Sequence, residues 1–260
     1  MAIVTLTTDL GARDPYAGAI KGALLKNHPE ITLVDITHQI EPFNVLQGAY
    51  VLRQAFAQFP ENTIHLLLVN GYGSKEVSAL VARFCSHWFV APDNGLLPLL
   101  WEGAPAGEVY RVDPGLLELS DLKVTMPELT AAALQLAKGN DPSRFARPAA
   151  HIRELHFGMP VHGPDLLRGQ IIHVDHFGNC IVNIRKEDFD RIARGRSFTV
   201  HFKRYDELHR LSSHYGSVEQ GHMLCFFNTG GYLEIAINRG HAAKLLNLQV
   251  RDGVQITFDG

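Results

Sequence analysis

Residues 2–7 (AIVTLT) make an apolar run interrupted only by hydroxyls, the pattern of a buried strand. Residues 15–26 carry apolar side chains at helical spacing, and Asp14 stands where it would cap that helix. Residues 31–36 are β-branched and apolar, a second strand. Residues 45–56 read as a helix and 63–69 (TIHLLLV) as a third strand. Two further strands are predicted over 77–84 and 87–91, followed by the strong turn sequence PDNG. Residues 129–138 (LTAAALQLAK) predict a helix that Gly139 stops. This alternation predicts an α/β domain over residues 1–140 with a mostly parallel sheet.

The texture changes after residue 140. Residues 141–150 (DPSRFARPAA) mix prolines and charges without period, so 141–165 reads as a linker. Beyond it the apolar runs shorten, at 169–174, 180–184, 197–202, 222–227, 232–237 and 254–258, and helical periodicity becomes scarce. Short strands separated by turns predict a smaller all-β barrel over residues 166–260. There is no internal repeat. The chain has 260 residues, 46% of them hydrophobic, which suffices for a sizeable core in two domains. A net charge of -3 has no basic excess, which argues against a dedicated nucleic-acid binder. No apolar run has the length of a membrane span, and no leader pattern opens the chain. Three cysteines without a CxxC spacing fit a reducing compartment. The expectation is a cytoplasmic protein with neither a membrane nor a nucleic-acid partner.

In an open parallel sheet, ligands settle beyond the carboxyl ends of the strands. TTDLGARD lies at such an end, and the two oxygens of Asp9 suit the paired hydroxyls of a ribose. The plainer alternative is that both are turn and cap residues, which accounts for Asp14 better than for Asp9. DITHQIEPFN (35–44), LVNGYGS (68–74) and APDNGLL (91–97) end strands in the same way. Within them, Phe43 is placed either to stack on a flat heterocycle or to cap the core from a loop. HVDHFGNCIVNI (173–184) groups His173, Asp175 and His176, but strand alternation sends 176 to the face opposite 173 and 175. No metal site and no cofactor are expected. In NTGGYLEIAIN (228–238) the glycine pair permits a close backbone approach to a ligand, or serves a plain hairpin turn.

Taken in order, TTDLGARDPYAGAIKG, VDITHQIEP, LVNGYGS, APDNGLL, VDHFGNCIVNI and NTGGYLEIAIN resemble one family across nearly the whole chain. It is the S-adenosylmethionine hydroxide adenosyltransferases, with the related fluorinases and chlorinases. The resemblance implies an α/β domain followed by a β-barrel. It also implies a homotrimer, with a nucleoside substrate held between one subunit's first domain and its neighbour's second. By the same resemblance Asp9 grips the ribose hydroxyls and Phe43 walls the sugar. Asp175 meets the methionine ammonium, Phe177 and Asn179 face the adenine, and Thr229 falls where the family has a serine holding the methionine carboxylate, with Asn228 beside it as a further substrate-binding residue. The implied reaction is attack of water or hydroxide at the ribose C5′, giving adenosine and methionine.

The family activates its water with an Asp, Arg and His set, and here all three depart. Asn70 replaces the aspartate, Lys75 and Glu76 stand where the arginine is expected, and LSDLKVTMPELT (119–130) has neither histidine nor arginine. Asn70, Lys75, Glu76 and Glu128 are therefore the candidates for orienting water. The rival expectation is a relative that binds S-adenosylmethionine or adenosine without efficient turnover. Halide transfer fits less well, because Asn70 is not the tyrosine that halogenases carry there.

Overall fold

The computed structural model describes residues 2–71, 78–102, 107–120, 122–155, 160–203 and 207–259, which divide into two compact units, 1–155 and 156–260. The first unit holds β1 (Ile3–Thr8), α1 (Tyr16–Asn27), β2 (Thr32–Thr37), α2 (Val45–Ala55), β3 (Ile64–Leu68), β4 (Ala79–Phe84), β5 (His87–Pro92), α3 (Leu96–Trp101), β6 (Val109–Val112), α4 (Pro127–Ala137) and β7 (Ala146–Pro148). Its seven strands run in the order β2-β1-β3-β5-β4-β6-β7. β2, β1, β3 and β5 pair parallel with one another, while the β5-β4, β4-β6 and β6-β7 pairings are antiparallel, so only β4 and β7 run against the other strands. The sheet is parallel across its β2-β1-β3-β5 half and mixed beyond it, where β4 and β5 form a tight hairpin turning at Cys85 and Ser86, both at positive φ.

Alternation along β1 sorts the two faces. Val4 and Leu6 pack with Ala17, Ile20 and Leu24 of α1 and with Leu129, Ala132 and Leu136 of α4. The opposite face, with Leu67, Leu80 and Phe89, receives Val45, Ala49 and Leu52 of α2 and Leu96 and Leu100 of α3. Thus α1 leaves β1 on one face and α2 returns on the other, so the winding reverses at the carboxyl ends of β1 and β3. That is where an open α/β sheet parts its loops and leaves room for a ligand.

Two sequence expectations change here. Asp14 does not cap α1: Pro15 is the N-cap residue, already near-helical at φ -74°, and no side chain bonds the first turn. Asp14 therefore precedes the cap and lies outside its reach. The stretch read as a linker also contains structure, since Phe145 and Ala146 are buried and β7 pairs with β6. Pro148 suits this outermost strand, where a missing N–H costs no ladder bond.

The second unit holds β8 (Val161–His162), β9 (Leu166–Val174), β10 (Cys180–Arg185), α5 (Lys186–Ala193), β11 (Phe198–His201), β12 (Glu207–Leu208), β13 (Met223–Phe227), β14 (Tyr232–Ile237), α6 (Ala242–Leu245) and β15 (Gly253–Phe258). Every pairing is antiparallel, in the order β12-β11-β15-β9-β10-β14-β13, and β8 pairs with β9. The long β9 pairs β15 with its first half and β10 with its second, so it bends the sheet round. The end strands β12 and β13 come together, and just past β12 the Ser212 N–H donates to Cys225 O of β13, giving a nearly closed barrel. Its interior is filled by Leu167, Val182, Val200, Leu233, Ile235 and Ile256. Among the described residues no helix is long and apolar enough to cross a membrane.

Candidate functional site

The loops after β1, β2 and β3 meet on one carboxylate. Asp9 Oδ2 accepts the backbone N–H of Phe43 at 2.9 Å and that of Asn70 at 3.0 Å. Both donors sit at positive φ, 67° and 49°, which turns their N–H bonds toward β1. The other oxygen, Oδ1, is buried with no partner among the described residues. A carboxylate oxygen sealed from water without a donor is costly. A ligand hydroxyl is the kind of group that would satisfy it. Phe43 itself is 64% exposed, an expensive place for an aromatic ring.

The next loop is fastened from below. Asn94, buried in the PDNG turn, donates through Nδ2 to Val69 O at 2.9 Å and Asn70 O at 3.2 Å, and its Oδ1 accepts from Leu96 N–H. Asp93 pairs with Arg111 at 2.8 Å and accepts from Arg153 N–H at 2.7 Å. Asn70 is therefore held by its backbone on both sides. A Cβ added at Gly71 would lie 2.3 Å from Met126 Sδ, so the start of α4 rests on this loop. Glu128 lies in the first turn of α4. Lys75 and Glu76 lie outside the described residues.

Behind β2, Asp35 bonds Lys21 at 2.7 Å and lies 3.1 Å from His38, whose other ring nitrogen bonds Thr8 Oγ1. Burial raises the Asp35 carboxyl, but the Lys21 and His38 contacts outweigh it and hold it below its usual range. The VDITH segment thus braces the ends of β1 and β2.

The second unit builds its own polar cluster. Asp175 Oδ1 accepts Asn179 N–H at 2.8 Å and Oδ2 accepts Asn179 Nδ2 at 2.9 Å. Gly178, at φ +86°, closes this turn with its α-carbon against the His241 ring, where a Cβ would come within 2.0 Å. Phe177 projects from the turn and is 73% exposed. Asn228 serves its own turn, with Oδ1 accepting from Gly230 and Tyr232 N–H, while Thr229 is exposed beside it. Tyr215 and Glu234 complete the cluster, and sequence reading passed over both. Tyr215 donates to Glu234 at 2.6 Å and accepts from Asn179 at 3.3 Å, and Asn228 Nδ2 reaches the other Glu234 oxygen at 3.2 Å. Burial pushes the Glu234 carboxyl up, Tyr215 and Asn228 pull it back, and the Asp175 charge adds to the rise. The available signal was an acid inside the otherwise apolar strand YLEIAI.

The two buried cysteines contribute no nucleophile. Burial pushes Cys180 and Cys225 up to about 12, so both remain thiols. Among the described residues no cluster of three or more His, Cys, Asp or Glu side chains is arranged to hold a metal.

The pattern of the SAM hydroxide adenosyltransferase N-terminal domain matches residues 4–146, and that of the C-terminal domain matches residues 169–255. The chain belongs to the SAM hydroxide adenosyltransferase family. Within it, the (R)-S-adenosyl-L-methionine hydrolase of Methanocaldococcus jannaschii is 28% identical, covering 98% of this chain and 96% of its own. The enzyme of the same name from Thermus thermophilus is 27% identical over 96% of this chain and 97% of its own. The crystal structure of an uncharacterized conserved protein from Thermotoga maritima superposes with a TM-score of 0.88 at 28% identity, covering 98% and 99% of the two chains. All three similarities cover at least 96% of this chain.

Proposed function

We propose that the protein binds S-adenosylmethionine and cleaves it to adenosine and L-methionine. The observation carrying this reading is the divided work of Asp9: one oxygen locks two loops and the other is left buried and unpartnered. In this reading Oδ1 takes a ribose hydroxyl and the exposed ring of Phe43 walls the sugar. Asp175 receives the methionine ammonium as a charge-assisted pair, Phe177 and Asn179 take the base, and Asn228 and Thr229 border the carboxylate. The working assembly is a homotrimer, which mass measurement in solution tests.

The reaction is an in-line displacement. A water oxygen forms a bond to C5′ as the C5′–S bond breaks, and sulfur keeps the electron pair as a neutral thioether. The sulfonium needs no acid, so the protein must align the water and let its proton depart. Asn70 cannot take that proton, which leaves Lys75, Glu76 and Glu128 as candidates to orient the water. Loss of a general base costs on the order of 10² to 10⁴ in rate, so turnover is expected to be slow.

A second reading, binding without turnover, is favoured by the way position 70 is used: its backbone is spent on Asp9 and Asn94, and its side chain is neutral. Incubating the protein with S-adenosylmethionine from about pH 6 to about pH 9 and following adenosine by chromatography separates the two. Adenosine formation supports hydrolysis, and tight binding without product ends it. Adding chloride or fluoride and searching for the halogenated nucleoside tests halide transfer in the same experiment.

A further inference from the structure

The cluster in the second unit has a direction that begins at Glu234. Both of its oxygens accept, from Tyr215 at 2.6 Å and from Asn228 at 3.2 Å, and the residue is 4% exposed, so the carboxylate is fixed in place. A tyrosine hydroxyl has one hydrogen, and here it is spent on Glu234. The Tyr215 oxygen can then only accept, and what it accepts is an Asn179 N–H at 3.3 Å. Asp175, an acceptor when ionised, takes the second Asn179 N–H at 2.9 Å. Both amide hydrogens of Asn179 are consumed. Its Oδ1 has no partner among the described residues and is not among the atoms sealed from solvent without one.

We propose that Tyr215, backed by Glu234, is a positioning residue that sets the polarity of the base subsite, fixing the Asn179 amide so that it offers a ligand an acceptor and not a donor. The inference rests on the reading of Asn179 as facing the base. It narrows that reading to a purine carrying an exocyclic amino group, which can donate to Oδ1. A purine with an oxo group at the same position would set oxygen against oxygen. Rotating the amide to suit the oxo base would set Oδ1 against Asp175 Oδ2 and the Tyr215 oxygen and take from each the N–H it now accepts, the costly kind of loss. Removing the Tyr215 hydroxyl releases one of those two restraints. The ring itself sits edge-on to Phe226, 4.9 Å between centroids, and is 43% exposed, so Tyr215→Phe keeps the packing.

The test is calorimetric titration of the full-length protein with adenosine and with inosine, for the native chain, Tyr215→Phe and Glu234→Gln. The native chain should prefer adenosine by about tenfold or more. Tyr215→Phe should reduce that preference to about threefold or less while its thermal midpoint stays within a few degrees. Glu234→Gln, which can no longer accept from both neighbours, should lose the preference likewise, and it carries the test if Tyr215→Phe does not fold. Equal weakening of both ligands, with the ratio kept, would mark Tyr215 as merely structural and overturn the proposal. A native chain that binds both nucleosides equally also overturns it. A native chain that binds neither removes the nucleoside reading, and this inference with it.

Discussion

Asp9 reaches Asn70 across 61 residues of sequence, its Oδ2 accepting the Asn70 backbone N–H at 3.0 Å. The same oxygen holds Phe43, so one side chain sets the mouth of the parallel half of the sheet.

Asp9→Asn keeps one acceptor for those two amides and replaces the other oxygen with a neutral N–H group. The variant should fold, and adenosine should bind about tenfold more weakly, a loss of more than about 1 kcal/mol. Unchanged affinity in a calorimetric titration would remove the ribose role.

Phe43 combines a positive φ of 67° with a ring that is 64% exposed. A bulky residue in that region costs on the order of 1–2 kcal/mol, while glycine adds chain entropy worth roughly 0.5–1 kcal/mol. Phe43→Gly should therefore match or exceed the native stability in chemical denaturation while its nucleoside affinity falls. A clear loss of stability would show that the ring packs on the core after all.

Gly178→Ala should cost the second unit roughly 2–5 kcal/mol. The methyl would enter the left-handed region at φ +86° and collide with the His241 ring. Differential scanning of the purified variant checks this, and a midpoint equal to the native one would contradict the geometry.

His65 is fully buried, with Nδ1 on Thr5 Oγ1 at 2.8 Å and Nε2 on His87 at 3.2 Å, among Phe56, Phe59 and Phe89. Burial, then the His87 charge, pushes it down to about 3. Its unfolded value is the ordinary one, so below about 6.5 the unfolded chain binds a proton that the folded chain refuses. The stability it contributes is complete above that pH. It is lost as pH falls toward the folded value, on the order of 1.4 kcal/mol per pH unit. Urea unfolding at descending pH should show this slope, and His65→Gln should flatten it. A native curve flat from about pH 6.5 to about pH 4.5 would contradict it.

Much of the scaffold was legible because burial imposes a period. The apolar runs of β1, β3 and β14 could be read directly, and PDNG announced its turn. Elements whose existence depends on a neighbour were not legible. Residues 146–148 (ARP) have no strand pattern of their own and become β7 because β6 offers a free edge. Residues 186–193 (KEDFDRIA) lie in a stretch dominated by short strands, and α5 is betrayed only by Phe189 and Ala193 buried one turn apart. Tyr215 sits alone in a polar loop, where no periodicity marks it.

By itself the sequence determined the division into an α/β part and a β part, the strand faces, and the motifs TTDLG, VDHFGN and NTGGYLEIAIN. Local propensity and hydrophobic period are properties of short stretches, so they can be read there. Only the tertiary structure decided that β4 and β7 run against the other strands, that Asp14 is not a cap, and that Asp9 spends one oxygen on two distant loops. It alone joined Tyr215 to Asn179 and Glu234, residues 36 and 19 positions away in the chain. Such bonds form between groups that the folded backbone brings within about 3 Å of each other, and no pattern along the chain encodes which donor will meet which acceptor.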